Sequence, residues 1–254
     1  MGLSEYITDN TRITLAYKKN PSIAYLPGRG NIYYKDFNIN EFIVEKIGSI
    51  KNLNVNNYFL LLLDDIYGVT SFKSVRDSDC SDIKVASYDF CINDEIYYMT
   101  CPPNVDFFDV LSWCPNEKNR LELADEILKL FALDTYTWQR DRCSYNIMFE
   151  IHSNGEFHLS KIYDFEESLS IDALYDNVMY DNALYKFFNV DDYYKLFDIY
   201  PQFRKYLEDY QKIDLCKEIT SMFLERDFDI KNFSLDKYKK FEEASQKMLC
   251  KILE

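Results

Sequence analysis

Six glycines, six prolines and two histidines in 254 residues leave little material for several kinds of site. No stretch reads G-x-G-x-x-G, the pattern by which a dinucleotide fold or a kinase glycine loop lets the backbone approach phosphates. The nearest approach is Pro27-Gly28-Arg29-Gly30, which also suits an ordinary hairpin turn. The seven cysteines, at 80, 91, 101, 114, 143, 216 and 250, form no C-x-x-C pair and are odd in number. With His152 and His158 as the only imidazoles, a zinc site lacks ligands, and free thiols in a reducing cytoplasm are the simpler reading. Cys143 has no histidine in its own motif to activate it as a nucleophile. Basic residues are also short, 29 against 43 acidic, and a net charge of −14 with no basic run excludes a general nucleic-acid binder and an anionic-membrane binder. The longest apolar run, Tyr58 to Leu63, is far below the roughly 20 residues of a membrane span, and no basic-then-apolar leader opens the chain. The expected location is the cytoplasm.

What the chain does hold is concentrated between Asp134 and Ser170. Asp141 is followed five residues later by Asn146, then by a strand, a Ser153-Asn154-Gly155 turn, a second strand, and Asp164. An acid and an amide five apart fit one loop, and a hairpin with two strands of about seven residues returns a second acid beside them. Mg²⁺ takes oxygen donors and keeps several waters, so Asn146 and Asp164 are suitable metal ligands while nucleotide phosphates complete the shell. Asp141 then stays off the metal and orients a substrate hydroxyl. The protein-kinase motifs H-R-D-x-x-x-x-N and D-F-G correspond here to Q-R-D-R-C-S-Y-N and D-F-E.

The flanking segments are consistent with this. Ile13, Leu15 and Tyr17 alternate as in a half-buried strand. Ile39 to Ile50 has Phe42, Ile43, Ile47 and Ile50 at helical spacing, with Asn38 or Asn40 as cap. Residues 58–63 and 66–75 read as one hairpin, and 85–91 with 95–100 as another around Asn93-Asp94. Phe107 to Trp113 reads as a short helix. Asn116 opens a long one, with Leu121, Ala124, Leu128 and Phe131 on its buried side and Trp138 anchoring its end. Beyond Ser170 the aromatics Tyr175, Tyr180, Tyr185, Phe187, Phe188, Tyr193, Tyr194 and Phe197 stand among aspartates, so they pack a helical core rather than stack on bases. Leu215 to Phe228 and Leu235 to Leu253 are two further amphipathic helices, the second capped by Ser234. No repeat, low-complexity linker or coiled-coil heptad is present.

On the segments Asp141-Arg142-Cys143-Ser144-Tyr145-Asn146 and Tyr163-Asp164-Phe165-Glu166-Glu167-Ser168-Leu169 the chain resembles the HipA-like branch of the protein-kinase fold, whose signature is D-R-H-x-x-N followed by Y-D-x-x-x-S-L. Cys143 stands where that family has histidine. The resemblance covers about 120–170, more loosely 12–75, and does not extend beyond 190. It implies an α+β, bilobal protein-kinase-like fold, with a β-rich N-lobe over 1–103 carrying one main helix at 39–50. A helical C-lobe over 104–254 would carry the catalytic hairpin at 139–168. It implies ATP and Mg²⁺ as cofactors, a serine or threonine of a protein as acceptor, and a toxin-like role with a partner protein that inhibits the kinase. It also implies that Glu41, or Glu45 one turn on, pairs with a phosphate-binding base. Counting back by the family's spacings gives Lys19, Arg29, Lys18 and Lys35, in that order of expectation. The adenine-binding hinge falls near Thr70 to Lys73, with Thr100 to Pro103 as competitor. Two other readings stay open: a degenerate kinase fold that binds nucleotide or a partner without transfer, and a kinase or adenylyltransferase acting on a small molecule or lipid.

Overall fold

The structure, a computed structural model, describes residues 11–12, 14–17, 22–26, 30–36, 38–62, 69–70, 83–88, 95–170, 182–226 and 233–254. Strands β2 (Thr14–Tyr17), β3 (Ser22–Leu26) and β4 (Gly30–Asp36) form an antiparallel meander. It continues through β7 (Ile83–Tyr88) to β5 (Tyr58–Leu62), so the sheet order is β2-β3-β4-β7-β5. Between β4 and β5 runs helix α1 (Ile39–Ile50), as its periodicity predicts. Of the two candidate caps it is Asn38 that serves, its side chain accepting the Asn40 N–H at 3.0 Å, which satisfies a donor the first turn leaves open.

Both hairpins expected from local turn signals are corrected. β5 pairs with β7, and the two residues of β6 (Val69–Thr70) pair instead with β1 (Thr11–Arg12). β7 lies between β4 and β5, whereas β8 (Ile96–Thr100) belongs to a separate three-stranded sheet with β9 (Met148–His152) and β10 (Phe157–Leu159), in the order β10-β9-β8. Turn chemistry reports on neighbours in sequence. The interior position of β7 is set by pairing with strands about 25 and 50 residues away in the chain, which an Asp-Asp or Asn-Asp pair does not encode.

Helix α1 is buried on almost every side, with Phe42, Ile43, Val44 and Ile47 at most 1% exposed, because β5 lies on one flank and the C-terminal helices on another. Gly48 admits the next segment. A Cβ built there would stand 2.5 Å from Cγ1 of Val55, and Val55 forms a parallel bridge to Ile162, two residues before Asp164. Gly to Ala in a helix interior ordinarily stabilises by roughly 0.5–1 kcal/mol. Here Gly48→Ala is expected to destabilise by about 1–3 kcal/mol in urea melts, the usual size of overpacking, and a stabilised variant would contradict this packing.

The remaining described chain is helical: α2 (Phe107–Ser112), α3 (Glu117–Thr137), α4 (Val190–Ile199), α5 (Pro201–Tyr210), α6 (Leu215–Glu225) and α7 (Asp236–Leu253). α2 opens on an Asp106–Asp109 capping box, and α3 opens on Asn116, which accepts the Asn119 N–H at 2.9 Å. Leu121 corrects the expected buried face of α3, being 53% exposed, while Leu123, Ala124, Ile127 and Leu128 are inside. From Leu130 to Thr137 every residue is buried, since α3 there passes through the middle of the C-terminal core. The helix stops at Trp138, a left-handed residue (φ 53°) whose side chain is 6% exposed, so its anchoring in the core offsets the backbone cost. The later aromatics pack as expected. Phe131, Phe187, Tyr193 and Phe203 are fully buried, with Phe187 and Tyr193 centroids 4.4 Å apart; Phe188 is 65% exposed, and Tyr175 and Tyr180 lie outside the described residues. Among the described residues no helix is long and apolar enough to cross a membrane.

Candidate active site

The turn at Trp138 delivers Gln139, Arg140 and Asp141 as a loop, and Ser144–Asn146 then form one tight helical turn. Asp141 is exposed, and the Asn146 amide nitrogen donates to its backbone carbonyl at 2.8 Å, closing the loop so that the amide oxygen of Asn146 is the atom left to ligate. β9 and β10 return the chain through Gly155 (φ 82°), where a left-handed backbone suits glycine. The strands have five and three residues, shorter than expected, because the pairing ends at Leu159 against Phe149.

Asp164 is itself left-handed (φ 63°), a conformation that costs energy in an L residue and is held by its neighbours. Its N–H donates to the Tyr58 hydroxyl at 3.0 Å and its carbonyl accepts from Gln139 Nε2. The next N–H, of Phe165, donates to Oε2 of Glu41, a fully buried carboxylate in the first turn of α1. Asn40 Nδ2 donates to the Ser168 carbonyl at 2.7 Å and the Glu166 carbonyl at 3.3 Å, and Ser168 Oγ donates to Gln139 Oε1 at 2.9 Å. Both ends of the 164–168 turn are therefore fixed, each to α1 and to the loop that carries Asp141. Carboxylate oxygens of Glu41, Asp164 and Glu166 come within 4.8 Å of one another, a hard-oxygen donor set of the kind Mg²⁺ takes. Burial first, and then the charge of Glu41, push the Tyr58 hydroxyl well above the usual phenol range, so it remains a neutral donor and acceptor here.

Sequence reasoning missed the residue that joins these parts. Arg142, 1% exposed, makes a two-pronged pair with Asp134 of α3, Nε to Oδ2 and Nη2 to Oδ1 both at 3.0 Å. Its Nη1 donates to the carbonyls of Asn146 (3.2 Å) and Tyr163 (2.6 Å), and its guanidinium lies 5.2 Å over the Phe165 ring. One cation thus holds the backbone beside both proposed metal ligands, using the rigid fork that distinguishes arginine from lysine. A signal was present: Asp134 is an acid in the last turn of a helix, where the dipole disfavours it unless a cation answers it.

Of the other proposed residues, Lys18, Lys19 and Arg29 lie outside the described residues. Lys35 belongs to β4, its backbone opposite Val85, on the strand that leads directly into α1. Glu45 does not face the 164 turn. It takes Arg226 Nη2 at 2.5 Å and the Tyr58 N–H at 3.2 Å, and burial raises its carboxyl above the usual range against the opposing pull of Arg226.

The geometry is that of a kinase-like fold: an antiparallel sheet with one helix inserted before its edge strand, followed by a helical region whose loop carries Asp141 and Asn146 and whose hairpin returns to Asp164, the carbonyls of Asn146 and Tyr163 meeting on the Arg142 guanidinium. Solved structures share that fold, among them these two. The Helicobacter pylori proinflammatory kinase CtkA aligns with TM-score 0.56 and 16% identity over 95% of this chain and 92% of its own. The HipA of Shewanella oneidensis MR-1, solved with HipB and operator DNA, aligns with TM-score 0.55 and 13% identity over 96% of this chain. The chain spans 62% of the length of that HipA. Both neighbours are HipA-like kinases, so the resemblance read from residues 141–169 is borne out at the level of fold. No protein-family model and no curated protein sequence matches the chain.

Proposed function

We propose that this protein is an ATP-dependent phosphotransferase of HipA-like type that passes the γ-phosphoryl group of ATP to a serine or threonine hydroxyl of a protein. The supporting observation is the convergence of Glu41, Asp164 and Glu166 around the turn at 164, with the carbonyls of Asn146 and Tyr163 held by one Arg142 guanidinium and Asp141 tied to Asn146 on the adjoining loop. Asn146 and Asp164 hold Mg²⁺, which when bound neutralises the β- and γ-phosphate oxygens. Asp141 accepts a hydrogen bond from the acceptor hydroxyl and orients it in line. In this reading the β-rich part and the helical part are two lobes, β7 being the last described strand of the first and β8 lying in the sheet of the second. A partner protein that restrains the kinase fits the HipB bound to the Shewanella HipA.

Topology changes the order of candidates for the phosphate-binding base. In protein kinases that lysine stands on the strand preceding the helix that carries its glutamate partner, and here that strand is β4. Lys35 is its only lysine, so it takes precedence over Lys19 and Arg29. The test is transfer of label from γ-labelled ATP with Mg²⁺ to a mixed protein and peptide acceptor pool, beside α-labelled ATP and an Asp164→Asn control. Transfer of γ-label alone supports the proposal, α-label in product indicates adenylylation, and no transfer despite Mg-ATP binding indicates a degenerate fold. Lys35→Met is expected to weaken ATP affinity or turnover at least tenfold more than Lys18→Met, Lys19→Met or Arg29→Met, about 1.4 kcal/mol. Equal mild effects at all four would refute the assignment.

A further inference from the structure

We infer that Tyr58 is a positioning residue for the Asp164 turn, and that Arg226, just past the end of α6, fixes Tyr58 and so couples the C-terminal helices to the site. Tyr58 opens β5, is 7% exposed and is engaged along its whole length. Its N–H donates to Glu45 Oε2 at 3.2 Å and its carbonyl accepts from Arg226 Nη1 at 2.8 Å. At the far end its hydroxyl oxygen accepts the Asp164 N–H at 3.0 Å, one residue before the Phe165 N–H that Glu41 receives. The phenol oxygen has a lone pair for the Asp164 amide, so removing the hydroxyl removes that acceptor.

Arg226 closes the other side. Its Nη2 pairs with Glu45 Oε1 at 2.5 Å and its guanidinium lies 5.0 Å over the ring of Phe42, which also meets the Tyr58 ring at 6.2 Å. Lys46 of α1 adds an ion pair to Glu225 of α6 at 2.7 Å, and Tyr238 of α7 donates to Asn40 Oδ1 at 3.2 Å. Helix α1 and the start of β5 are thus clasped by the C-terminal helices, and the clasp ends on the backbone of the proposed metal ligand. The block beyond residue 190, which the family resemblance did not reach, has a place in the site through these contacts. The coupling is a matter of geometry; its consequence for Mg-ATP rests on the phosphotransferase reading.

The test is amide hydrogen exchange on the full-length, ligand-free protein, read at Asp164 and Phe165 with the α3 amides as a control for global opening. Tyr58→Phe keeps the ring and removes the acceptor, so exchange at Asp164 is expected to rise about tenfold, the scale of one lost hydrogen bond, with α3 unchanged. Arg226→Met combined with Glu45→Gln, which avoids stranding a buried carboxylate, is expected to act in the same direction by a smaller factor. If Arg226 works through Tyr58, adding Tyr58→Phe to that variant multiplies to less than the separate factors. Unchanged exchange at Asp164 in Tyr58→Phe, or factors that multiply fully, overturns the inference. Each variant is also expected to need several-fold more Mg²⁺ for half-maximal ATP binding by calorimetry. A wild type whose ATP binding ignores Mg²⁺ would overturn the phosphotransferase reading instead, and exchange alone would then decide the coupling.

Discussion

ATP is expected to raise the melting temperature of the wild type more with Mg²⁺ than with EDTA, and Asp164→Ala to lose all of that Mg²⁺-dependent increment. A ligand that binds only the folded state stabilises it by mass action, about 2.7 kcal/mol at a hundred times its dissociation constant. For a chain of this size that is several degrees. The fold makes the choice of substitution matter, because Asp164 sits at φ 63° and alanine tolerates the left-handed region poorly. Asp164→Ala therefore lowers the melting temperature of the ligand-free protein as well. Asp164→Asn is the companion, since asparagine enters that region readily and keeps the backbone N–H that Tyr58 receives. The Asn variant is expected to melt near the wild type without ligand and to show a reduced Mg²⁺ increment, since its amide oxygen can ligate but brings no charge. If the Ala variant kept the full increment, Asp164 would not be a metal ligand, and Glu41 and Glu166 beside it would be the residues to test next.

How much of this was legible in the sequence depended on whether the signal was local. Helix α1 is found where its spacing placed it, capped by Asn38, because a cap and a 3.6-residue period are both written within a dozen residues. The loop and hairpin that bring Asn146 toward Asp164 were legible for the same reason: a D-x-x-x-x-N spacing and an Asn154-Gly155 turn are short-range features. What could not be read locally was pairing at a distance. β5 and β7 join across the whole of 63–82, and the turn signals between them pointed to nearer partners. Arg142 was hidden in a different way. An arginine in a polar loop reads as surface, and only a partner eight residues upstream, on a helix end ill suited to an acid, makes its burial tolerable. Arg226 had no sequence signal, since its partners Glu45 and Tyr58 lie more than 160 residues away.

The same buried contacts separate the roles of the two aspartates, and Asp141→Asn is expected to show the difference. In the proposed mechanism Asp164 meets the metal in the ground state, so its loss is expected to damage nucleotide binding and turnover together. Asp141 is exposed, and the contact the structure gives it is made by its backbone carbonyl to the Asn146 amide, which an asparagine leaves in place. The substitution thus keeps the loop and removes the charge proposed to orient the acceptor hydroxyl. A group acting mainly in the transition state lowers kcat and kcat/KM together and leaves ground-state affinity nearly intact. Loss of such assistance costs about 10²–10⁴-fold in rate. Calorimetry on Asp141→Asn is therefore expected to give Mg-ATP affinity within a few-fold of wild type, while label transfer to any acceptor falls by at least a hundredfold. Full transfer in that variant would sink the mechanism. Loss of Mg-ATP binding with the melting temperature unchanged would move Asp141 from the acceptor side of the site to the metal side, since the Asn146 contact it preserves is the one that would otherwise have been blamed.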